Sequence, residues 1–184
     1  MSLLVVWSSP NTDGLTASAK DKIVEGIQAA GKDAEVIHLN QKNINLCKAC
    51  GNGWGICISE GVCVQQDDFQ ELYEAFQRAD AIVLVTPVYW HDPSENLKAL
   101  LDRLRRCEPF RNHYLKGKRC LLVACAGGSG KGAISCLYNM EYTLGHMEMI
   151  ALDRIPVTRF NRDYIVPALF DAGKKFAEHH SDWK

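Results

Sequence analysis

The chain has 184 residues, 47% of them hydrophobic, and a formal net charge of −1. This length predicts a single domain over residues 1–184 with a sizeable core, and the balanced charge excludes a strongly basic nucleic-acid surface. The first residues lack the features of a signal peptide, and no apolar run approaches the roughly 18 residues of a membrane span. We therefore expect a cytoplasmic protein with neither a membrane nor a nucleic acid as partner.

Apolar runs alternate with helix-period segments along the whole chain. The predicted strands are residues 3–7, 34–39, 81–85, 121–125 and 149–152. One predicted helix, residues 93–107, has Pro93 at its first position and a buried stripe of leucines that ends at Leu104. This alternation predicts an α/β protein with a three-layer, flavodoxin-like fold, whose five-stranded parallel sheet has the order 2-1-3-4-5.

The first predicted strand leads into a loop of small polar residues, residues 8–16, and then into a helix. Such a turn aims backbone N–H groups and hydroxyls at an anion on the helix N-terminus, and Gly14 is expected to give the turn conformational freedom. The loop holds no Lys or Arg, which favours the single phosphate of a mononucleotide such as FMN. The alternative is an ordinary capped turn between strand and helix.

Two more loops are predicted at the same edge of the sheet, where folds of this class bind ligands. Residues 86–92 follow the third strand and include Tyr89 and Trp90, whose flat faces suit stacking on a flavin ring. The alternative is that these two side chains cover the edge of the sheet. Residues 126–132 follow the fourth strand and are rich in glycine, which lets the backbone approach a planar ligand closely.

These three loops, with Ser9-Pro10 and Gly14 in the first, make the chain resemble the NADPH-dependent FMN reductase group of the flavodoxin-like superfamily. The resemblance spans Leu3 to about Leu152 and implies non-covalently bound FMN. The residues that it implies for the phosphate are Ser9, Asn11, Gly14, Leu15 and Thr16, and those for the isoalloxazine ring are Pro87, Val88, Tyr89, Trp90, Gly127, Gly128, Ser129 and Gly130. Many members have Arg where Asn11 stands, which lowers the affinity expected for the phosphate.

The resemblance also implies an oxidoreductase that passes electrons from NAD(P)H to a flavin, a quinone or a similar small acceptor. Because the flavin carries this chemistry, no catalytic side chain is assigned. A homodimer or homotetramer is expected, since the loops are too short to bury both faces of the ring. The candidate contact surface is the helix of residues 93–107, where Arg103, Arg105 and Arg106 follow the apolar stripe.

A long cysteine-rich insertion, residues 45–66, separates the second strand from the next helix. Its Cys47, Cys50, Cys57 and Cys63 have the chemistry to hold a [4Fe–4S] centre or zinc, to remain free thiols, or to form a redox disulfide. The sequence is also similar to the iron–sulfur flavoproteins, which carry cysteines in the same loop. The alternative function is therefore an iron–sulfur electron carrier with these four cysteines as ligands.

The spacing of these cysteines departs from the usual pattern of those flavoproteins, because six residues separate Cys50 from Cys57. Ordering this glycine-rich excursion has an entropic cost of about 1–2 kcal/mol per residue. We therefore predict that the insertion folds beside the flavin site without a metal. The remaining cysteines lie in helix or strand patterns and are predicted to be core residues: Cys107, Cys120, Cys125 and Cys136.

Overall fold

The structure is a computed structural model that describes residues 2–108 and 112–182. Its strands are β1 (Leu3–Trp7), β2 (Ala34–His38), β3 (Ala81–Tyr89), β4 (Asp92–Pro93), β5 (Arg119–Ala126) and β6 (Ile150–Thr158). Its helices are α1 (Leu15–Ala29), α2 (Ile56–Ser59), α3 (Phe69–Arg78), α4 (Glu95–Cys107), α5 (Ala133–Gly145) and α6 (Arg162–His179), and a 3₁₀ turn at Leu39–Gln41 follows β2.

The five long strands form a parallel sheet of order β2-β1-β3-β5-β6. With the two-residue β4 set aside, this is the predicted order 2-1-3-4-5, and the fold prediction is confirmed. β4 pairs antiparallel with the end of β3, where Tyr89 lies opposite Asp92. β3 is longer than predicted, because residues 86–89, expected to be a loop, pair with neighbouring strands. Thr86 and Pro87 pair with β5, and Val88 and Tyr89 pair with β4.

Side chains of the sheet alternate between two faces, and each face is covered by a layer of helices. On one face Leu4 and Ile82 pack with residues of α3, α4 and α5. On the other face Val5 and Val83 pack with residues of α1 and α6. All four side chains are buried, as expected for strands covered on both sides.

Helices α1 and α6 approach each other so closely that glycine is required at two positions. A Cβ atom at Gly26 would lie 2.0 Å from the carbonyl oxygen of Phe170, and one at Gly173 would lie 2.3 Å from that of Ile23. Neither backbone can give way without moving its helix. This packing fixes α1 against the sheet and so fixes the position of its N-terminus.

Helix α4 begins at Glu95 rather than at Pro93. Pro93 pairs with Val88 in the β3–β4 hairpin, which draws it out of the helix. Ser94 is the N-cap instead, and its hydroxyl accepts a hydrogen bond from the Leu97 N–H at 3.4 Å. Serine is among the residues preferred at this position, because its oxygen satisfies one of the unpaired N–H groups of the first turn.

The cysteine-rich insertion, all of which the structure describes, has one regular element, the four-residue helix α2. The rest of residues 45–66 forms turns and irregular backbone with positive φ at Gly51, Asn52, Gly53 and Gly61. α2 packs against α4. The insertion therefore lies over the α4 side of the sheet.

Candidate functional site

The loops that follow β1 and β5 and the last three residues of β3 meet around one cleft of about 320 Å³, here called the first cleft. Its volume falls within the roughly 300–1,000 Å³ of small-molecule sites. The lining residues are Ser9, Pro10, Asn11, Gly14, Leu15, Thr16, Pro87, Val88, Tyr89, Cys125, Gly127 and Gly128. The structure thus brings together all the predicted site residues except Trp90, Ser129 and Gly130.

One end of the first cleft is the N-terminus of α1. No side chain caps this terminus, and its first turn contains no acidic residue. The Ser9 and Thr16 side chains beside it are 6% and 5% exposed, and Ser9 Oγ accepts a hydrogen bond from the Asn11 N–H at 3.2 Å. Uncapped amides, small hydroxyls and the positive end of the helix dipole together favour an anion here.

Gly14, at this end of the cleft, does not need the conformational freedom expected of it. Its backbone is extended (φ −89°, ψ −172°), a conformation that other residues adopt without strain. The nearest neighbour of an added Cβ would be Asn11 Cβ at 3.4 Å, an ordinary contact. Conformational freedom is therefore not the reason for glycine at this position.

His38 fixes the first loop from the neighbouring strand. Its Nε2 lies 2.8 Å from the carbonyl oxygen of Ser9, and its ring stacks on Trp7 at a centroid distance of 3.8 Å. The two rings meet because Trp7 and His38 are register partners in β1 and β2. The sequence analysis did not identify His38, although its place at the end of the second predicted strand was a usable signal.

A network of buried hydroxyls joins the loop after β1, the end of β3 and the start of α4. Ser94 Oγ donates to Ser8 Oγ at 2.7 Å, Ser8 Oγ lies 3.2 Å from Thr86 Oγ1, and the Ser94 N–H donates to Thr86 Oγ1 at 3.0 Å. All three residues are at most 4% exposed. The network holds two of the three site loops at a fixed separation.

A second cleft of about 310 Å³ adjoins the first and shares Val88, Gly127 and Gly128 with it. Its other lining residues are Trp90, His91, Ala126, Ser129, Gly130 and Lys131. The three predicted residues that the first cleft lacks therefore lie here. The Trp90 side chain is 97% exposed, so it does not cover the edge of the sheet.

Two titratable side chains of the first cleft are held in their neutral forms. Burial raises the pKa of the Cys125 thiol to about 12, although a hydrogen bond with Thr16 opposes this shift. Burial, and to a smaller extent the charge of Glu95, raise the pKa of Tyr89 above its usual value. At neutral pH both groups are thus hydrogen-bond donors without charge, and neither adds a negative charge to the anion site.

The four insertion cysteines line a separate small cavity, here called the cysteine pocket. Its volume is about 30 Å³, and α4 contributes Arg103, Arg106 and Cys107 to its wall. Cys47, Cys50, Cys57 and Cys63 are all half-buried free thiols. The four cysteines predicted as core residues are free and buried, so that prediction is confirmed.

Arg103 is the centre of the contacts beneath the insertion. Its guanidinium binds both carboxylate oxygens of Asp67, at 2.6 and 2.8 Å, and donates to Cys63 Sγ at 3.2 Å. The Arg103 and Asp67 side chains are 1% and 0% exposed. Burial opposes the ionisation of Asp67, but hydrogen bonds from Arg103 and Asn45 outweigh it and hold the pKa of this carboxyl far below its usual value.

The other two arginines of α4 also face the insertion. The guanidiniums of Arg106 and Arg105 lie 4.6 and 5.8 Å from the ring centroid of Trp54, and Arg106 donates to the carbonyl oxygen of Gly53. The prediction that these residues and Arg103 form a subunit contact is wrong for Arg103, which is buried inside the chain. Arg105 and Arg106 are half-buried against the same loop.

A family model described as NADPH-dependent FMN reductase matches residues 1–160. The chain belongs to this family. Its members share the flavodoxin-like fold, and the family is one of FMN-dependent oxidoreductases. The family assignment made from the three loops is confirmed.

The relatives most similar in sequence include proteins named iron-sulfur flavoproteins. The chain is 32% identical over 160 residues to an iron-sulfur flavoprotein of Archaeoglobus fulgidus, an alignment that covers 86% of this chain and 76% of the relative. Another iron-sulfur flavoprotein of that organism is 30% identical over 132 residues, with 71% of this chain and 57% of the relative covered. The chain thus spans little more than half of that relative's length.

Solved structures agree on the fold. An NAD(P)H:quinone oxidoreductase from Methanothermobacter marburgensis superposes with a TM-score of 0.72 at 21% identity and covers 98% of both chains. A flavodoxin from the domain Archaea gives a TM-score of 0.63 at 17% identity, with 97% of both chains covered. In the part of this chain that the structure describes, no helix has the length and apolar character needed to cross a membrane.

The residues of the first cleft fit the cofactor of the family. An uncapped helix N-terminus with two buried hydroxyls suits a phosphate. At Gly127 and Gly128 an added Cβ would have no neighbour within 4 Å, so the bare backbone faces open space where a flat ring needs close approach. The cleft therefore offers one end that suits an anion and one end that suits a flat ring.

The cysteine pocket does not fit a cluster in its present arrangement. Its volume of about 30 Å³ matches the share of one water molecule in the liquid, roughly 30 Å³. Among residues 2–108 and 112–182, no three Cys, His, Asp or Glu side chains are gathered closely enough to hold a metal ion. One of the four sulfurs, Cys63 Sγ, is engaged by Arg103 instead.

Proposed function

We propose that this protein binds FMN non-covalently in the first cleft and passes electrons from NAD(P)H to a small acceptor such as a free flavin or a quinone. The observation that carries the proposal is the meeting of the end of β3 with the loops after β1 and β5 around one cleft that has an uncapped helix N-terminus. The family supports the cofactor, and the reaction class is supported by the family of NADPH-dependent FMN reductases and by the likeness to an NAD(P)H:quinone oxidoreductase.

In this proposal the α1 end of the first cleft holds the phosphate. The backbone N–H groups at Leu15 and Thr16 and the hydroxyls of Ser9 and Thr16 donate hydrogen bonds to its oxygens. Asn11, which many members replace with Arg, adds an amide but no positive charge. Binding therefore relies on the helix terminus and on neutral donors, each of which contributes about 1.5–3 kcal/mol when it bonds a charged group.

The opposite end of the first cleft holds the ring. The backbone of residues 87–89 and of Gly127 and Gly128 lies on its two sides, with Ser129 and Gly130 in the adjoining second cleft. When bound, FMN would supply hydride acceptance from the nicotinamide and electron donation to the acceptor. The backbone at this end would hold the ring, and burial keeps the Cys125 thiol in the cleft wall protonated.

The test is a titration of the purified apoprotein with FMN, followed by steady-state oxidation of NADPH and NADH with a quinone as acceptor. We expect saturable binding with quenching of flavin fluorescence, and turnover that depends on FMN. Riboflavin, which lacks the phosphate, should bind much more weakly. A protein that binds neither flavin would overturn the proposal.

The second candidate function is an iron–sulfur electron carrier. It is favoured by the convergence of four thiols on one cavity and by the names of the curated relatives. Anaerobic purification with iron, sulfide and zinc analysis separates the two candidates. About four irons and four sulfides per chain, lost in Cys57→Ala, would establish the carrier, because thiolates hold such clusters. One zinc per chain would make the insertion structural, and metal-free protein with titratable thiols would support the reductase.

We also propose that the protein is a homodimer or homotetramer. In α5 the side chains of Ile134, Tyr138 and Tyr142 recur every four residues and are 69%, 64% and 61% exposed. Contiguous exposed apolar surface of this kind marks interaction sites in soluble proteins. This face is proposed as the subunit contact in place of Arg103, which is buried inside the chain. Light scattering should give two or four chains, and a fully active monomer would contradict the proposal.

A further inference from the structure

Two buried polar atoms beside the cysteine pocket have no hydrogen-bond partner among the residues that the structure describes. They are Nε of Arg103 and Oε1 of Gln65, and both residues line the pocket. The Arg103 side chain is 1% exposed, so bulk solvent does not reach its Nε–H. Unpaired buried groups are rare in folded proteins, and each one calls for an explanation.

The two unpaired atoms need opposite kinds of partner. Gln65 Nε2 donates to the carbonyl oxygen of Leu46 at 2.9 Å, which fixes the orientation of the amide and leaves Oε1 as an acceptor. Arg103 Nε can only donate. A group that satisfies both atoms must therefore accept one hydrogen bond and donate another, as a hydroxyl does. The pocket volume of about 30 Å³ admits one group of that size.

The unpaired Nε–H of Arg103 lies on the edge of the guanidinium that faces Cys63. The outer edge of this planar group, formed by Nη1 and Nη2, binds the carboxylate of Asp67. The other hydrogen of Nη2 points to Cys63 Sγ at 3.2 Å, and it lies on the same edge as the Nε–H. An oxygen atom attached to Cys63 Sγ would therefore be within reach of Nε. A water molecule would satisfy the same two atoms, so the experiment must distinguish water from oxygen bound to sulfur.

Cys63 is also the pocket cysteine that is best placed for reaction. It is half-buried, whereas Cys107 in the wall of the same pocket is 1% exposed and out of reach of an oxidant. A second half-buried thiol, Cys57, lines the pocket and packs with Cys63 against the same part of the core. A reactive cysteine beside a second thiol is the usual arrangement of redox-responsive sites.

We propose that Cys63 is an oxidation site, at which a hydroperoxide converts the thiol to a sulfenic acid whose hydroxyl is held between Arg103 and Gln65. The sulfur is oxidised and the peroxide is reduced, since Cys63–SH and ROOH give Cys63–SOH and ROH. The Cys57 thiol then attacks the oxidised sulfur, and a disulfide and one water molecule form. Thiol reductants return both cysteines to free thiols by exchange. This inference is independent of FMN binding.

The experiment treats the reduced wild-type protein with hydrogen peroxide in the presence of dimedone, which labels sulfenic acids. Peptide mass spectrometry then locates the label, and we expect it on Cys63. Cys120, Cys125 and Cys136 are internal controls, because they are buried in the core and should stay unlabelled. A label on another insertion cysteine with none on Cys63 would overturn the inference. An unlabelled Cys63 that stays reduced would do the same, and would leave water as the partner of the two atoms.

The disulfide step is tested without dimedone. Peroxide should then remove two free thiols per chain and give a peptide in which Cys57 is linked to Cys63. Cys57→Ser should leave the sulfenic acid in place, so that dimedone added later still labels Cys63. Cys47→Ser is the matched control, because Cys47 is a half-buried thiol of the same pocket and should not be needed. A sulfenic acid that persists in Cys47→Ser and not in Cys57→Ser would show that the proposed pair is wrong.

The role of the pocket is tested with Gln65→Met, which keeps the length of the side chain but removes the acceptor. We expect it to slow the labelling of Cys63 by dimedone about twofold to tenfold, the size of one hydrogen bond. Gln66→Met is the matched control, since Gln66 is exposed and does not line the pocket. Alkylation of the Cys63 thiol by iodoacetamide should be equally fast in both variants, which excludes a change in access. Equal rates of dimedone labelling would show that the pocket does not hold the oxygen.

Metal analysis of anaerobically purified protein provides a separate contradiction. About four irons and four sulfides per chain would make these sulfurs cluster ligands, and Cys63 would not be an oxidation site. Titration of the same preparation with FMN keeps the two proposals apart. Failure to bind FMN would overturn the proposed function and leave the oxidation of Cys63 standing, because the first cleft and the cysteine pocket share no lining residue.

Discussion

The first cleft and the cysteine pocket lie on the same protein but depend on different kinds of contact. In the first cleft the polar groups are backbone amides and short hydroxyls, whose positions follow from the register of β1, β3 and β5. In the cysteine pocket the geometry depends on the long side chain of Arg103, which joins α4 to the insertion through Asp67 and Cys63. The first arrangement is pre-organised by the sheet, whereas the second rests on contacts between long side chains and the insertion, with one buried ion pair among them.

The largest effect on stability is expected when that ion pair is removed. Arg103→Met leaves Asp67 buried without its partner, and we expect the free energy of unfolding in urea to fall by about 3–5 kcal/mol. Arg78→Met, which removes an exposed pair with Glu35, is the control and should cost no more than about 1 kcal/mol. FMN affinity should survive in both variants, because the two sites share no lining residue. Loss of FMN binding in folded Arg103→Met would show that the regions are coupled.

The same pair should make the insertion sensitive to acid. The pKa of Asp67 lies below its usual value in the folded state, so its stabilisation is complete above the unfolded pKa, about 3.9, and is lost as the pH falls below it. The urea midpoint should therefore fall more between pH 7 and pH 3 in the wild-type protein than in Asp67→Asn, which has no carboxylate to protonate at this site. An equal fall of the midpoint in the two proteins would show that groups other than Asp67 cause the acid sensitivity.

For the first cleft the largest effect should appear in binding and not in stability. Thr16→Ala removes a hydroxyl proposed to bond the phosphate, so FMN affinity should fall roughly tenfold to a hundredfold, equivalent to about 1.5–3 kcal/mol. Riboflavin affinity should hardly change. Ser18→Ala, on the exposed face of α1, is the matched control. Fluorescence titration measures the affinities of both variants for both flavins. Equal losses of affinity for FMN and riboflavin would show that the phosphate does not bind at this loop.

The difference between the first cleft and the cysteine pocket also explains which features could be predicted from the sequence. The strands and the three loops were predictable because hydrophobic periodicity is local and because parallel strands bring their carboxyl ends to one edge. That topology predicted the edge of the sheet at which the first cleft lies. The resemblance to the FMN reductase family then implied all its lining residues except Pro10 and Cys125.

The contacts that escaped prediction join residues far apart in the chain. Arg103 and Asp67 are 36 positions apart, and each alone resembles a surface charge, so the sequence indicated a subunit contact where the structure has a buried pair. His38 and Ser9 meet only through strand register. His91 Nδ1 lies 3.2 Å from Ser135 Oγ of α5, a contact that no local pattern of residues 86–92 reveals.

A smaller effect should follow from loosening the hydroxyl network under the first cleft. Ser94→Ala removes the N-cap of α4 and the hydrogen bond to Ser8, and we expect a loss of about 0.5–2 kcal/mol in the free energy of unfolding. Ser59→Ala, an exposed serine of the insertion, should be nearly neutral. Urea unfolding of both variants tests this. No loss in Ser94→Ala would mean that the network does not hold the loops.

The smallest expected effect is at Gly14. Because its backbone is extended and an added Cβ meets only Asn11 Cβ at 3.4 Å, Gly14→Ala should change the free energy of unfolding by no more than about 0.5 kcal/mol. Gly26→Ala is the contrast, since its Cβ would lie 2.0 Å from a backbone oxygen of α6 and overpacking of this kind costs about 1–3 kcal/mol. A large loss of stability in Gly14→Ala would show that the turn does require glycine at this position. A stable variant with weaker FMN binding would instead show that the glycine serves the approach of the phosphate to the backbone, as the pre-organised cleft requires.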